Sequence, residues 1–148
     1  MKLRVYFACA LTHSPPDFQQ KIASVKECLK ALPDVELLDF VGLVDGSPQD
    51  VYEHDIHTCV KSADLIIADC THPAIGLGWE LGAATEAFRK HVFIVAADGS
   101  HLSRLIHGAV SPRNSDLAFA TYGSQHDLFM ICKERIEYVQ VRISNYAE

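Results

Sequence analysis

Two rhythms of hydrophobic and polar positions alternate along this chain, one with the period of a strand and one with that of a helix. Leu3 to Ala10 (LRVYFACA) is dense in strand formers and predicts a first strand. In the segment that follows, Ser14 is suited to cap a helix, with Pro15 at its first position and Asp17 in its first turn. Phe18, Ile22, Val25, Leu29 and Leu32 then recur at spacings of four and three, the stripe of an amphipathic helix that ends before Pro33. Val35 to Phe40 reads as a second strand and Gly42 to Pro48 as a loop. Ser47-Pro48-Gln49-Asp50 repeats the capping pattern, and Tyr52, Ile56, Cys59 and Ala63 predict the buried face of a second helix. Asp55 borders that face, so its carboxylate needs a partner or a task.

The stretch Ala63 to Ala84 stands apart. A continuous apolar run, Leu65 to Ala68, predicts a strand covered on both faces, and the Pro73–Gly78 segment predicts a tight loop. A third helix is expected to start with Glu80 in its first turn, where unpaired N–H groups favour a negative charge. Gly82, Ala83 and Ala84 would let that helix pack closely on a sheet. His91 to Ala97 predicts a fourth strand, Leu102 to Val110 a short helix, and Leu117 to Tyr122 a fifth strand. A closing helix from Gln125 carries Leu128, Ile131, Cys132, Ile136 and Val139, with 146–148 expected to fray.

Strands alternating with helices predict an α/β fold, a flavodoxin-like three-layer sandwich with a five-stranded, mostly parallel sheet, formed by residues 1–148 as a single domain. Ligands of such sheets bind beyond the carboxyl ends of the strands, where strand order reverses. That point would lie between the first and third strands and would gather Tyr6, Asp55, the 70–78 loop and Glu80 around one pocket.

The 49% hydrophobic and 22% charged composition is that of a globular protein, and a formal net charge of −6 opposes binding to nucleic acid polymers or anionic membranes. No apolar run reaches membrane-spanning length. Met1-Lys2-Leu3-Arg4 runs straight into the first predicted strand, so no signal peptide is expected. Five cysteines without a C-x-x-C pair do not suggest a disulfide framework, so a reduced, cytoplasmic setting is expected.

Among candidate chemical groups, Glu80 and Asp55 form the two-carboxylate set that glycosidic cleavage requires, and Tyr6 could orient one of them. A carboxylate that only favours a helix terminus is the plainer reading of Glu80 alone, and a satisfied polar residue that of Asp55. His54 and His57 are spaced to share a metal, but no third ligand is apparent, so neither a metal nor a cofactor is expected. Gly76-Leu77-Gly78 is too short for a dinucleotide fingerprint. His72 lies in the pocket loop, where a base or phosphate contact competes with simple solvation. Cys9 and Cys70, at strand ends, read as small apolar packers.

Val5-Tyr6-Phe7-Ala8-Cys9, Glu53-His54-Asp55, Ala63-Asp64-Leu65-Ile66-Ile67-Ala68 and Gly76-Leu77-Gly78-Trp79-Glu80-Leu81-Gly82 together resemble the nucleoside 2-deoxyribosyltransferase superfamily, which includes the 2'-deoxynucleoside 5'-phosphate N-hydrolases. The resemblance extends to about His107-Gly108-Ala109 and is most specific in the segment around Glu80. It implies that Glu80 is the nucleophile and forms a glycosyl-enzyme, that Asp55 positions the sugar and assists the leaving base, and that Tyr6 orients Glu80. Ala8, Cys9, Thr12, His72, Ile75, Gly76, Gly78 and Arg113 are then the candidate substrate contacts. The implied partner is a nucleoside or nucleotide, and the implied assembly is a homodimer or larger, in which a neighbour completes the pocket. Where the nucleotide hydrolases carry a G-S-[apolar]-R-G-G loop and a serine after the loop proline, this chain has Cys9-Ala10-Leu11-Thr12-His13-Ser14 and Ala74. Thr12, Ser14, His72 and Arg113 are the candidates to replace those phosphate ligands. The reading reached from sequence is cleavage of an N-glycosidic bond, with the glycosyl group passed to water or to another base. The alternative is a nucleotide-sensing module that uses the same pocket without catalysis.

Overall fold

A computed structural model describes residues 1–38 and 46–146. Five parallel strands stand in the order β2-β1-β3-β4-β5: β1 (Leu3–Cys9), β2 (Val35–Leu38), β3 (Leu65–Asp69), β4 (His91–Ala97) and β5 (Leu117–Tyr122). Strand order reverses between β1 and β3, whose register pairs Tyr6 with Ile66 and Cys9 with Asp69. The flavodoxin-like α/β sandwich expected from the alternating pattern is therefore the fold, and every strand pair is parallel. Residues 39 and 40 of the expected second strand, the Gly42 end of the loop after it, and residues 147 and 148 lie outside the described residues.

Side-chain alternation on the strands builds two cores, one on each face. Val5, Phe7, Leu65, Ile67, Phe93 and Val95 point to α1 (Pro16–Lys30) and α5 (Gln125–Tyr146), where Ile22, Val25, Leu29, Leu128 and Ile136 meet them. Tyr6, Ala8, Ile66, Ala68, Val92 and Ile94 point the other way. They face α2 (Pro48–Tyr52) with its π-helical continuation Glu53–Val60, and α3 (Ile75–Gly82) with its π-helical continuation Ala83–Ala87. The short α4 (Arg104–Ala109) closes that side and is narrower than the predicted 102–110 segment. Among the described residues, no helix is long and apolar enough to cross a membrane.

Three local expectations are corrected. Ser14 does not cap α1: Pro15 occupies the cap position, and the Ser14 hydroxyl donates to the Leu11 carbonyl at 3.2 Å. Gln19 Nε2 also donates to that carbonyl and to that of Ser14, so the turn is closed by side chains and the helix starts at Pro16. Tyr52 is not part of a buried stripe but 45% exposed, with its ring against His57. The π-helical turn after it changes the spacing of buried positions to Ile56, Cys59, Val60 and Ala63. Most consequentially, α3 begins at Ile75, not near Glu80. Gly76 and Gly78 are helical, because Leu77, Leu81 and Ala84 form a helical stripe whose burial outweighs the weak helix propensity of glycine. Glu80 thus lies in the second turn, away from the helix terminus.

The second capping prediction holds in full. Ser47 accepts from the Asp50 amide, and the Asp50 carboxylate accepts from the Ser47 amide, a reciprocal capping box with Pro48 inside it. This fixes the start of the helix that carries Asp55.

Candidate active site

Tyr6 sits in the middle of β1 and is 2% exposed. Its ring is enclosed by the core between the sheet and α3, yet its hydroxyl donates to Glu80 Oε1 at 3.0 Å. Burial and the neighbouring carboxylates Glu80 and Asp55 push the Tyr6 phenol far above its ordinary range, so it remains a donor at any physiological pH. Glu80 reaches the same point from α3, four residues after Gly76 and so on the same helix face. Nothing lies within 4 Å of where a Cβ would stand on Gly76, which leaves its backbone open.

Asp55 comes from the π-helical segment and faces the same space. A cavity of about 600 Å³ is lined by Tyr6, Ala8, Cys9, Thr12, His13, Asp55, His72, Ile75, Gly76, Leu77 and Glu80, among others. It opens at the carboxyl ends of β1 and β3, where strand order reverses. Burial is the main cause that raises Glu80, to about 7; the Tyr6 hydroxyl draws it down, Asp55 raises it further, and Lys26 lowers it. Asp55 is also raised by burial and drawn down by His54, whose Nδ1 lies 3.3 Å from its Oδ1. Two carboxylates with elevated proton affinity therefore share one pocket and a permanent phenol donor. Because the charge of Asp55 raises Glu80, Asp55 ionises first and the last proton of the pair rests on Glu80.

Of the sequence-predicted contacts, Ala8, Cys9, Thr12, His72, Ile75 and Gly76 line this cavity together with the three candidate catalytic residues. His72 is held edge-on against Phe18, ring centroids 4.7 Å apart. Burial pushes the Cys9 thiol up to about 12, which fits a packing group rather than a nucleophile. Gly78 and Arg113 are not brought to the cavity. Gly78 points to another side of α3 and lines a separate, largely apolar cavity of about 410 Å³ between α3 and α4. Arg113 lies in the connection that returns from α4 to the start of β5, and so at the opposite edge of the sheet. His54 and His57 do not converge: His54 faces Asp55, and His57 meets the Tyr52 ring edge to face. Among the described residues, no group of three metal-ligating side chains is assembled.

Sequence reasoning missed Asp69, a fully buried carboxylate at the end of β3. It accepts from the Tyr122 hydroxyl at 2.7 Å and from both the amide and the hydroxyl of Thr71, at 2.9 and 2.6 Å. Thr71 Oγ1 in turn accepts from the Ala97 amide at 2.9 Å. One carboxylate thereby ties the ends of β3, β4 and β5 and fixes the loop that leads to His72. The only sequence signal was an acid ending an apolar strand.

No family model matches the chain. A protein of Trichoplax adhaerens named "Putative 2'-deoxynucleoside 5'-phosphate N-hydrolase 1" is 29% identical over 136 residues, covering 86% of this chain and 93% of that one. A human protein named 5-hydroxymethyl-dUMP N-hydrolase is 35% identical over a shorter span, 43% of this chain and 37% of its own length. Among solved structures, that of a CMP N-glycosidase from Clostridium botulinum superposes with a TM-score of 0.63 at 20% identity, over 88% of this chain and 98% of the other, a likeness of fold.

Proposed function

We infer that this chain is an N-glycosidase of the nucleoside 2-deoxyribosyltransferase superfamily that acts on a nucleoside or nucleoside monophosphate, a reading supported by its relatives. The single observation that carries this reading is the Tyr6–Glu80 hydrogen bond, in a cavity that Asp55 also lines. The names of the relatives support the reaction class, and a 2'-deoxynucleoside 5'-monophosphate is the substrate form they favour.

In the proposed reaction the ionised Glu80 attacks the anomeric carbon and forms a glycosyl ester. The C–N bond breaks with its electron pair going to the base; the proton that Glu80 gives up on ionising passes to Asp55 and from it to the base. Water then attacks the anomeric carbon, its proton passes to Asp55, and Glu80 leaves as a carboxylate. A second free base in place of water would give transfer. Tyr6 holds Glu80 in place and spreads its charge before attack. Ile75 to Leu77, the first residues of α3, line the cavity and their N–H groups have no acceptor within the helix, which suits a 5'-phosphate together with His72.

Base release from a panel of nucleosides and monophosphates, with and without a second free base, tests the reading. Glu80→Ala should lower turnover on the order of a thousandfold or more on the true substrate. Wild-type turnover in that variant would sink the nucleophile assignment. Tight binding without base release would point instead to a sensing module.

The reading extends to assembly as a homodimer. Ile75 and Trp79, four apart on α3, are 92% and 65% exposed, beside a helix face that already flanks two cavities. Such apolar exposure is characteristic of a surface covered by another chain. Size-exclusion chromatography of Trp79→Glu should show a monomer where the wild type elutes as a dimer; equal elution of both would reject it.

A further inference from the structure

Asp55 does not stand alone on its helix. His54 Nδ1 lies 3.3 Å from Asp55 Oδ1, and Cys59 Sγ lies 3.7 Å from the same nitrogen. This arrangement is foreign to a regular α-helix, where residues one apart do not face each other and residues five apart lie on different sides. The Glu53–Val60 segment is π-helical, its last bond running from the Lys61 amide to the Ile56 carbonyl five residues back. That spacing brings the Cys59 sulfur to the Nδ1 nitrogen of His54. π-Turns are rare and are frequently found at functional sites. Here the turn sits where Asp55 enters the cavity.

We propose that His54 is the positioning residue for Asp55: its Nδ1–H grips Oδ1, so that the other carboxylate oxygen is presented to the sugar and the departing base. The pair is well placed for this. The Asp55 side chain is 15% exposed and that of His54 25%, and of the two only Asp55 lines the cavity. The same hydrogen bond favours the ionised form of Asp55, which eases release of its proton to the leaving base. His57, three residues on, provides the contrast: it meets the Tyr52 ring edge to face and has no part in the grip.

The inference rests on the role given to Asp55 above, and its test separates the two. The substrate is the nucleoside or 2'-deoxynucleoside 5'-monophosphate that the wild type cleaves fastest in the panel. His54→Ala should lower kcat by about 10- to 100-fold, the range of lost support for a working side chain, with KM within a few-fold. His54→Gln, whose amide can donate to Oδ1, should recover most of that loss, and His54→Leu should not. Wild-type kcat in His54→Ala, or a Gln variant as slow as Ala, would overturn the proposal. Asp55→Asn run in parallel shows which reading failed: if it keeps wild-type turnover, the role of Asp55 is wrong. A spectroscopic arm needs no substrate. The His54 Nδ1–H proton resonance in the wild type should move upfield or vanish in Asp55→Asn, and an unchanged resonance would overturn the pairing itself.

Discussion

The hydroxyl of Tyr6 lies 3.0 Å from Glu80 Oε1, joining the middle of β1 to the second turn of α3 across an otherwise apolar core. Because the phenol is held far above its ordinary range, it donates in every state of the site, and Glu80 is the partner whose protonation changes. Tyr6→Phe removes the donor that draws Glu80 down from the effect of burial. Its carboxyl should then titrate above about 7, and the acid limb of the kcat/KM–pH profile should move to higher pH. Turnover at neutral pH should fall by about 10- to 100-fold, one lost hydrogen bond to a charged group being worth roughly 1.5–3 kcal/mol. An acid limb at the wild-type position would show that the bond does not control Glu80.

The same elevation makes Glu80 a cost to stability. Its carboxyl titrates near 7 in the folded chain and near 4.5 when unperturbed, so the folded state keeps a proton that the unfolded chain gives up between those values. Its contribution is fully present below 4.5 and is lost as pH rises through 7. Glu80→Gln should therefore be more stable than wild type above pH 7, by on the order of 2 kcal/mol after allowance for partial exposure, with the gain vanishing toward pH 4. Urea unfolding at pH 4.5 and 8 measures both differences. An equal gain at the two pH values would disconnect it from the buried charge.

These properties were only partly legible in the residues. Strand positions were plain because β1, β3 and β4 carry dense apolar runs, and their alternation with helices left little choice of topology. The start of α3 was not. Gly76 and Gly78 read as a loop by local propensity, whereas burial of Leu77 and Leu81 against the sheet decides the matter, and such packing is a tertiary effect. Moving Glu80 inward by a turn changes its chemistry: burial rather than a helix terminus governs its proton. The π-turn that sets His54 beside Asp55 leaves no mark in hydrophobic spacing, since Tyr52, Ile56 and Cys59 fit an α-helical stripe equally well. Arg113 looked available to a phosphate because sequence does not say at which edge of the sheet a connection passes.

Asp69 supplies a stability test outside the site. With no exposure at all, its carboxylate depends on Tyr122 and Thr71 for donors. Tyr122→Phe conserves the ring and removes one of them, leaving a buried carboxylate oxygen without its hydroxyl. The variant should lose about 2–3 kcal/mol, more than an exposed tyrosine would cost. The loop carrying His72 is anchored by the same group, so the KM should rise while the pH dependence stays in place. Unfolding midpoints at constant denaturant slope check the first point, and steady-state kinetics the second.

Asp55 and Glu80 also act on each other, since the charge of Asp55 is among the causes that raise Glu80. Asp55→Asn removes that charge and leaves the Tyr6 donor untouched. Activity should drop by about 10²- to 10⁴-fold if Asp55 supplies the proton for base departure. In the residual activity, the acid limb should move to lower pH, because Glu80 ionises more readily once its anionic neighbour is gone. That direction is opposite to the one expected for Tyr6→Phe. The double variant should fall between the two, as each substitution acts on the same carboxyl through a different cause. Measured kcat/KM–pH profiles of the three proteins decide the point: parallel displacement of both single variants in one direction would mean that neither neighbour sets the protonation of Glu80 in the way its geometry implies.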